Sequence, residues 1–270
     1  MLNWSANLTM LFKDLPFVER LHAAASAGFG AVEFMWPTGV NLDELVAARI
    51  ASGVQVVLFN MDSGDVAAGD RGFPNDPSRR AWWRTRLMDA LELAERLGGC
   101  PRLNIQAGNE VPGLTRSVML DCLTENLDWA LEQTQTTGIS LFLEPLNRFE
   151  HPHYILSRTS EALEVLERLR HPRLKLQFDL YHTQRTEGNL ISLLRAHHNA
   201  IGHIQIADSP ARHQPGTGEI AWRFVLGELE TLGYTGFIGL EYIPVPDTLT
   251  SLQWLPTSKR RACTTADLIL

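Results

Sequence analysis

The chain has 270 residues, 44% hydrophobic and 20% charged, with a formal net charge of −7, an ordinary composition for a folded soluble domain. Its densest basic stretch is Lys259–Arg261, near the C-terminus, so the basic stripe of a nucleic-acid binder is missing. Three scattered cysteines (Cys100, Cys122, Cys263) argue against a disulfide framework, and the N-terminus lacks the charged-then-apolar order of a signal peptide. No run approaches the ~18 apolar residues of a membrane helix. A cytoplasmic protein with neither nucleic acid nor membrane as partner is expected.

Strand-like and helix-like segments alternate from the start. Leu2–Asn7 reads as a strand, and Pro16–Ala27 as an amphipathic helix closed by Gly28. Ala31–Phe34 is a second strand, followed by a helix near Leu42–Ser52. Gln55–Phe59, rich in β-branched residues, is a third. The loop Asn60–Asn75 carries many Gly and Asp residues, and Gly64 and Gly69 suit a lid. Asp76–Pro77–Ser78 opens a helix to about Leu97, where Gly98 and Gly99 stop it. Arg102–Gln106 is the fourth strand and Val118–Thr136 the helix after it. Ser140–Glu144 follows as strand five. The next helix is Thr159–Leu169, with Thr159 or Ser160 as its cap. Lys175–Asp179 is strand six, with a helix near Asn189–His197. Ile201–Ala207 is strand seven, Ala221–Leu232 a helix and Phe237–Tyr242 strand eight.

Eight such alternations predict an α/β fold of the (β/α)8 TIM-barrel type. A doubly wound sheet would carry a glycine-rich phosphate turn after the first strand, and ANLTMLF has none. Residues 1–255 read as one barrel domain, and 256–270 as a loosely structured, peripheral tail.

Four apolar strands each carry a metal-capable side chain at or near their C-terminal end: Glu144 in LFLEP, Asp179 in KLQFD, Gln205 in HIQIAD and Glu241 in FIGLEY. In a barrel these ends meet at one mouth. Three carboxylates and one amide oxygen describe a site for a hard divalent cation. Each residue has a plainer explanation. Glu144 and Glu241 could be buried, hydrogen-bonded acids, Asp179 the cap of a turn, and Gln205 an amide bridging strands. Their joint placement on strands five to eight favours the site. Without a cation, two carboxylates brought together repel and one keeps a proton, which suits acid–base chemistry. His182, three residues after Asp179, could fold over the mouth. Arg212, in the loop after strand seven, could take a substrate carboxylate with its planar fork. Glu150 could take a substrate hydroxyl. The Gly216–Thr217–Gly218 turn is a weak signal. Lysines are few (Lys13, Lys175, Lys259) and none ends a strand, which disfavours a Schiff base.

These motifs, with SANLTMLF (5–12), GFGAVEFMWP (28–37), the Gly64–Gly72 loop, LEPLN (143–147), FDLYH (178–182), GHIQIAD (202–208), PGTGEI (215–220) and GLEY (239–242), resemble the hydroxypyruvate isomerase family among xylose-isomerase-like barrels. The resemblance covers nearly the whole chain. It implies interconversion of a 2-keto acid (hydroxypyruvate) and its aldehyde isomer (tartronate semialdehyde), with Glu144 and Glu241 as proton carriers. Glu144, Asp179, Gln205 and Glu241 would hold a divalent cation, Mg2+ or Mn2+. His182, Arg212 and Glu150 would bind substrate, and no nicotinamide or flavin is expected. EPLNRFE also resembles ketose 3-epimerases, which place histidine where Gln205 stands. Phe59, where some hydroxypyruvate isomerases carry histidine, points toward the 2-oxo-tetronate isomerase branch, and Ile243 stands where lysine is common. A DNA-repair endonuclease barrel is a further alternative, disfavoured by the charge. A homodimer is the expected assembly.

Overall fold

A computed structural model describes all residues 1–270. Eight parallel strands run in chain order around a closed barrel: β1 (Leu2–Asn7), β2 (Ala31–Phe34), β3 (Gln55–Asn60), β4 (Arg102–Ile105), β5 (Ser140–Leu143), β6 (Leu174–Asp179), β7 (Ile201–Ile206) and β8 (Phe237–Leu240). β1 closes the ring by pairing with both β8 and β2. The intervening helices are α1 (Glu19–Ser26), α2 (Leu42–Ser52), α3 (Arg80–Arg96), α4 (Arg116–Gln133), α5 (Thr159–Leu169), α6 (Leu180–Thr186), α7 (Leu190–His197) and α8 (Trp222–Thr231); a short α9 (Thr248–Ser251) follows β8. The TIM barrel read from the sequence is the observed fold.

Local chemistry sets the helix ends. The Asn41 side chain accepts from the amides of Asp43 and Glu44 to start α2, and Gly53 at φ 70° ends it. Asp76 accepts from Ser78 N at 2.9 Å, opening one 3-10 turn (Pro77–Arg79) before α3. The cap expected at Thr159 or Ser160 lies one residue earlier, at Arg158. Its N–H donates to Glu161 Oε2 at 3.1 Å, while Thr159 N and Oγ1 both donate to Glu187 Oε1. The expected single helix after β6 is two, because Asp179 caps α6 directly at the strand end.

The outward faces of the strands pack on the helices, as with Leu2, Trp4 and Ala6 of β1, all fully buried. The lumen is polar where a TIM barrel is usually filled by branched apolar side chains. Ser5, Glu33, Asn104, Gln177, His203 and Gln205 are buried and bonded across it. Between β6 and β7 the register slips at Leu176/Gln177, passing Gly202. A Cβ at Gly202 would lie 2.7 Å from the Phe142 ring. Beyond the slip, Gln177 faces His203, and Asp179 faces Gln205.

The tail expected to be loose is bound to the barrel. The buried guanidinium of Arg260 donates to the carbonyls of Ala27 (2.7 Å), Leu255 (3.0 Å) and Leu252 (3.2 Å). Ala262–Cys263 forms a ninth strand, β9, antiparallel to β1, and Cys263 Sγ accepts from the Trp4 indole at 3.2 Å. Leu268 is buried as well. The polar sequence of this segment hides three anchoring residues.

Candidate active site

At the C-terminal ends of β5 to β8 the structure brings Glu144, Asp179, Gln205 and Glu241 to one mouth; each is at most 4% exposed. Their surroundings separate their roles. Asp179 Oδ1 accepts the amides of Tyr181 (2.7 Å) and His182 (3.1 Å), the capping bonds of α6. Its Oδ2 has no donor and faces His182 Nε2 at 3.9 Å and Arg212 Nη2 at 4.0 Å. One carboxylate therefore serves as cap and as a free oxygen at the mouth.

Burial lifts the carboxyl pKa of all three acids. That of Glu144 is pushed up to about 8 by burial and then by the charge of Asp179, against hydrogen bonds from Asn104 and Gln177 and the charge of Arg212. Asn104 Nδ2 donates to Glu144 Oε2 at 2.7 Å. Burial also raises Glu241 well above the ordinary carboxylate range, with Arg212 opposing it. Asp179 is also raised by burial, against the charge of Arg212 and hydrogen bonds from the His182 and Tyr181 amides and from Glu241. A proton on Glu241 would bridge it to Asp179, since two ionised carboxylates cannot donate to each other.

Arg212 is the countercharge. Its Nη2 lies 3.1 Å from Glu241 Oε2, and its Nη1 3.6 Å from Glu150 Oε2. The guanidinium stacks 5.1 Å from the centre of the Tyr181 ring. Its backbone, at φ 59°, is pinned by Arg212 N to Asp208 O (2.9 Å) and Ile243 N to Arg212 O (2.7 Å). The buried Asp208 carboxylate holds the whole loop. Oδ2 accepts the amides of Gly216, Thr217 and Gly218 (2.9–3.0 Å), and Oδ1 those of Ser209 and Ile220. The glycine turn is thus a cradle for Asp208 and not for a ligand. Asp208→Asn would turn an NH2 toward N–H donors. It is expected to cost about 3 kcal/mol and to lower the thermal midpoint; an unchanged midpoint would refute the cradle's weight.

His182 is buried, with Nδ1 accepting from Asn147 N (3.2 Å) and Nδ2 (2.7 Å). Burial, Arg212 and His151 hold its pKa well below the usual histidine value. The ring is therefore neutral with its hydrogen on Nε2, an N–H donor facing the carboxylates. His151 is held down to about 4 by burial and by Arg71, whose Nε donates to its Nδ1 at 3.1 Å. That bond ties the loop after β3 across the mouth. Gly72 in the loop, at φ 82°, leaves no room for a Cβ, which would stand 2.4 Å from Gln106 O. Glu150 is partly exposed and accepts from Tyr181 Oη and, at 3.2 Å, from Asn147 Nδ2.

The donor set fits a hard cation. Glu144 and Asp179 offer carboxylate oxygens within 4.8 Å of one another. The buried oxygens Asp179 Oδ2, Asn104 Oδ1 and Gln177 Oε1 have no hydrogen-bond donor, and oxygen-rich sites suit Mg2+, Mn2+ or Ca2+. Gln205 has its amide ends engaged, Nε2 by Glu33 Oε1 (2.7 Å) and Oε1 by Gln177 Nε2 (2.6 Å). Its oxygen keeps a second lone pair.

Several participants escaped the sequence reading: Glu33, Asn104, Asn147, Asp208, Arg71 and His151. Glu33 in AVEF and Asn104 in RLNI are single polar residues inside apolar strands, a signal present in the sequence. Arg71 and His151 sit in loops, and nothing local marks them.

Comparison with known proteins places the chain in a class. The family described as xylose isomerase-like TIM barrel matches residues 21–258. A 2-oxo-tetronate isomerase of Haemophilus influenzae is 37% identical, with 95% of this chain and 99% of that protein covered. Hydroxypyruvate isomerase of Escherichia coli is 36% identical, with 94% and 98% covered. A Brucella melitensis structure described as AP endonuclease, family 2, superposes with a TM-score of 0.90 at 36% identity, covering 94% and 98%. The chain belongs to the hydroxypyruvate isomerase family and is an isomerase of that family. No helix is long and apolar enough to cross a membrane.

Proposed function

We propose that the chain interconverts a short hydroxylated 2-keto acid and its aldehyde isomer, hydroxypyruvate and tartronate semialdehyde, by moving a proton between two carbons through Glu144 and Glu241. The observation that carries this reading is the pair of buried glutamates at one mouth, both with raised pKa, with the Arg212 guanidinium paired to Glu241 and its charge acting on both. The names of the relatives support the substrate class.

One glutamate takes the proton from the carbon bearing the hydroxyl. The C–H electrons form the C=C bond of an enediol, and the former carbonyl oxygen takes up the charge. The other glutamate returns a proton to the neighbouring carbon, while the hydroxyl proton passes between the two oxygens. Glu144, Asp179, Glu241 and Gln205 would hold the divalent cation, which when bound stabilises negative charge on the substrate oxygens. Its charge would also lower the raised carboxyls, so that one glutamate serves as the base while the other keeps its proton as the acid. His182 Nε2–H donates to a substrate oxygen. Arg212 receives the substrate carboxylate, and Glu150, already fixed by Tyr181 and Asn147, takes a hydroxyl.

Incubation in D2O with hydroxypyruvate, a 2-oxo-tetronate and free ketohexoses, followed by NMR, tests this. Deuterium is expected in the short keto acids; the ratio of the two acids reports the chain length. Exchange confined to C3 of the ketohexoses would replace this reading with a 3-epimerase. The Brucella neighbour's description raises the DNA-repair reading, but a net charge of −7 and a carboxylate-lined mouth repel a phosphate strand. A salt-dependent DNA shift is accordingly not expected.

A further inference from the structure

We infer that Glu33, on β2, is a positioning residue for the reaction: it sets the direction of the hydrogen-bonded amide pair Gln205 and Gln177 in the lumen. The inference rests on the reading of Gln205 as a cation ligand. Glu33 is fully buried in the lumen and accepts four bonds, from Ser5 Oγ (2.7 Å), Asn7 Nδ2 (3.2 Å), His203 Nε2 (2.8 Å) and Gln205 Nε2 (2.7 Å). β8 is notched to hold it. A Cβ at Gly239 would stand 2.2 Å and 2.3 Å from the two Glu33 oxygens.

The chemistry of the pair has one polarity. An ionised carboxylate only accepts, so Glu33 can meet only the NH2 end of Gln205. The Gln205 oxygen is thereby turned the other way, where Gln177 Nε2 donates to it at 2.6 Å. The Oε1 of Gln177 has no donor. Reversing Gln205 would set oxygen against oxygen at Glu33 and NH2 against NH2 at Gln177. The carboxylate also draws on the Gln205 N–H, which increases the negative charge on the amide oxygen, as the partners of metal ligands commonly do. Without Glu33, the remaining partner of Gln205 is Gln177, an amide that can itself reverse to present its unpartnered Oε1.

The test is Mn2+ affinity, by electron paramagnetic resonance of free Mn2+, with kcat and KM for hydroxypyruvate, on wild type and Glu33→Gln. A carboxamide at position 33 keeps the size but can also donate, so Gln205 is free to reverse. Glu33→Gln is expected to weaken Mn2+ binding by about 10- to 100-fold and to lower kcat with KM little changed. In a Gln205→Met background the same change should have no further effect on Mn2+ affinity. Folded Glu33→Gln protein with wild-type Mn2+ affinity, or an undiminished effect in the Gln205→Met background, overturns the inference. Should Glu33→Gln fail to fold, Glu33→Gln/His203→Asn, which removes both partners of the buried pair together, is read by the same criteria. Absence of Mn2+ binding in wild type overturns the cation reading and this inference with it; loss in the variant alone separates the two.

Discussion

Glu144→Gln and Glu241→Gln are each expected to lower kcat for isomerisation by about 10²- to 10⁴-fold, the usual contribution of a general acid or base. An amide of the same shape keeps the hydrogen-bond geometry and removes the proton carrier. Chelated protein should show the opposite effect on stability, because both carboxylates are held where burial disfavours their charge. The sign follows from linkage. The pKa of Glu144 is raised in the fold to about 8 from 4.5. Its contribution to stability is therefore fully present below about pH 4.5 and is lost as the pH rises through about 8. The thermal midpoint of chelated wild type should fall across that window, and Glu144→Gln should flatten the fall and raise the midpoint at pH 8. A gain in midpoint with a loss of turnover would mark the site as one where stability has been given up for chemistry. Measured kcat values within about tenfold of wild type in both variants would end the two-glutamate mechanism. Added Mn2+ should raise the wild-type midpoint more at pH 8 than at pH 5, because there the carboxylates are the ligand form.

The parts of this design legible in the sequence share a physical cause. Glu144, Asp179 and Glu241 each follow an apolar strand directly, and barrel closure brings such ends together whatever the loops do. The strand and helix rhythm was legible for the same reason, since burial periodicity is local. Three things were not. The short α6 has the polar sequence LYHTQRT, and it exists because Asp179 caps it while also facing the mouth. The C-terminal segment looks solvated by composition, yet Arg260 binds three carbonyls, one of them that of Ala27 at the other end of the chain. Glu33 sits below the strand ends, in a lumen expected to be apolar, and its partners come from β1 beside it and from β7, which lies beyond β1 and β8 around the ring. Contacts of this kind depend on which residues closure makes neighbours. A lone charge inside an apolar strand is the trace they leave in a sequence.

Arg212→Met is expected to be as damaging as either glutamate change, for a different reason. The Arg212 side chain is 14% exposed, and its two arms reach Glu241 and Asp179 on one side and Glu150 on the other. Removing one partner of a buried ion pair leaves uncompensated charge and typically costs about 3–5 kcal/mol. The raised carboxyls can relieve part of that cost by taking up protons, so the damage should fall more on function than on folding. If Arg212 receives the substrate carboxylate, KM for the keto acid rises steeply; if it serves only as countercharge, KM stays and the fall of the chelated midpoint with pH becomes steeper. Arg212→Lys discriminates further. A single ammonium preserves the charge but cannot span both arms or stack on Tyr181 as a planar guanidinium does. Lysine should therefore restore the thermal midpoint and leave KM high. Full recovery of both by lysine would mean that the fork geometry at this position has no part in binding the acid, and the keto-acid reading would lose its carboxylate anchor.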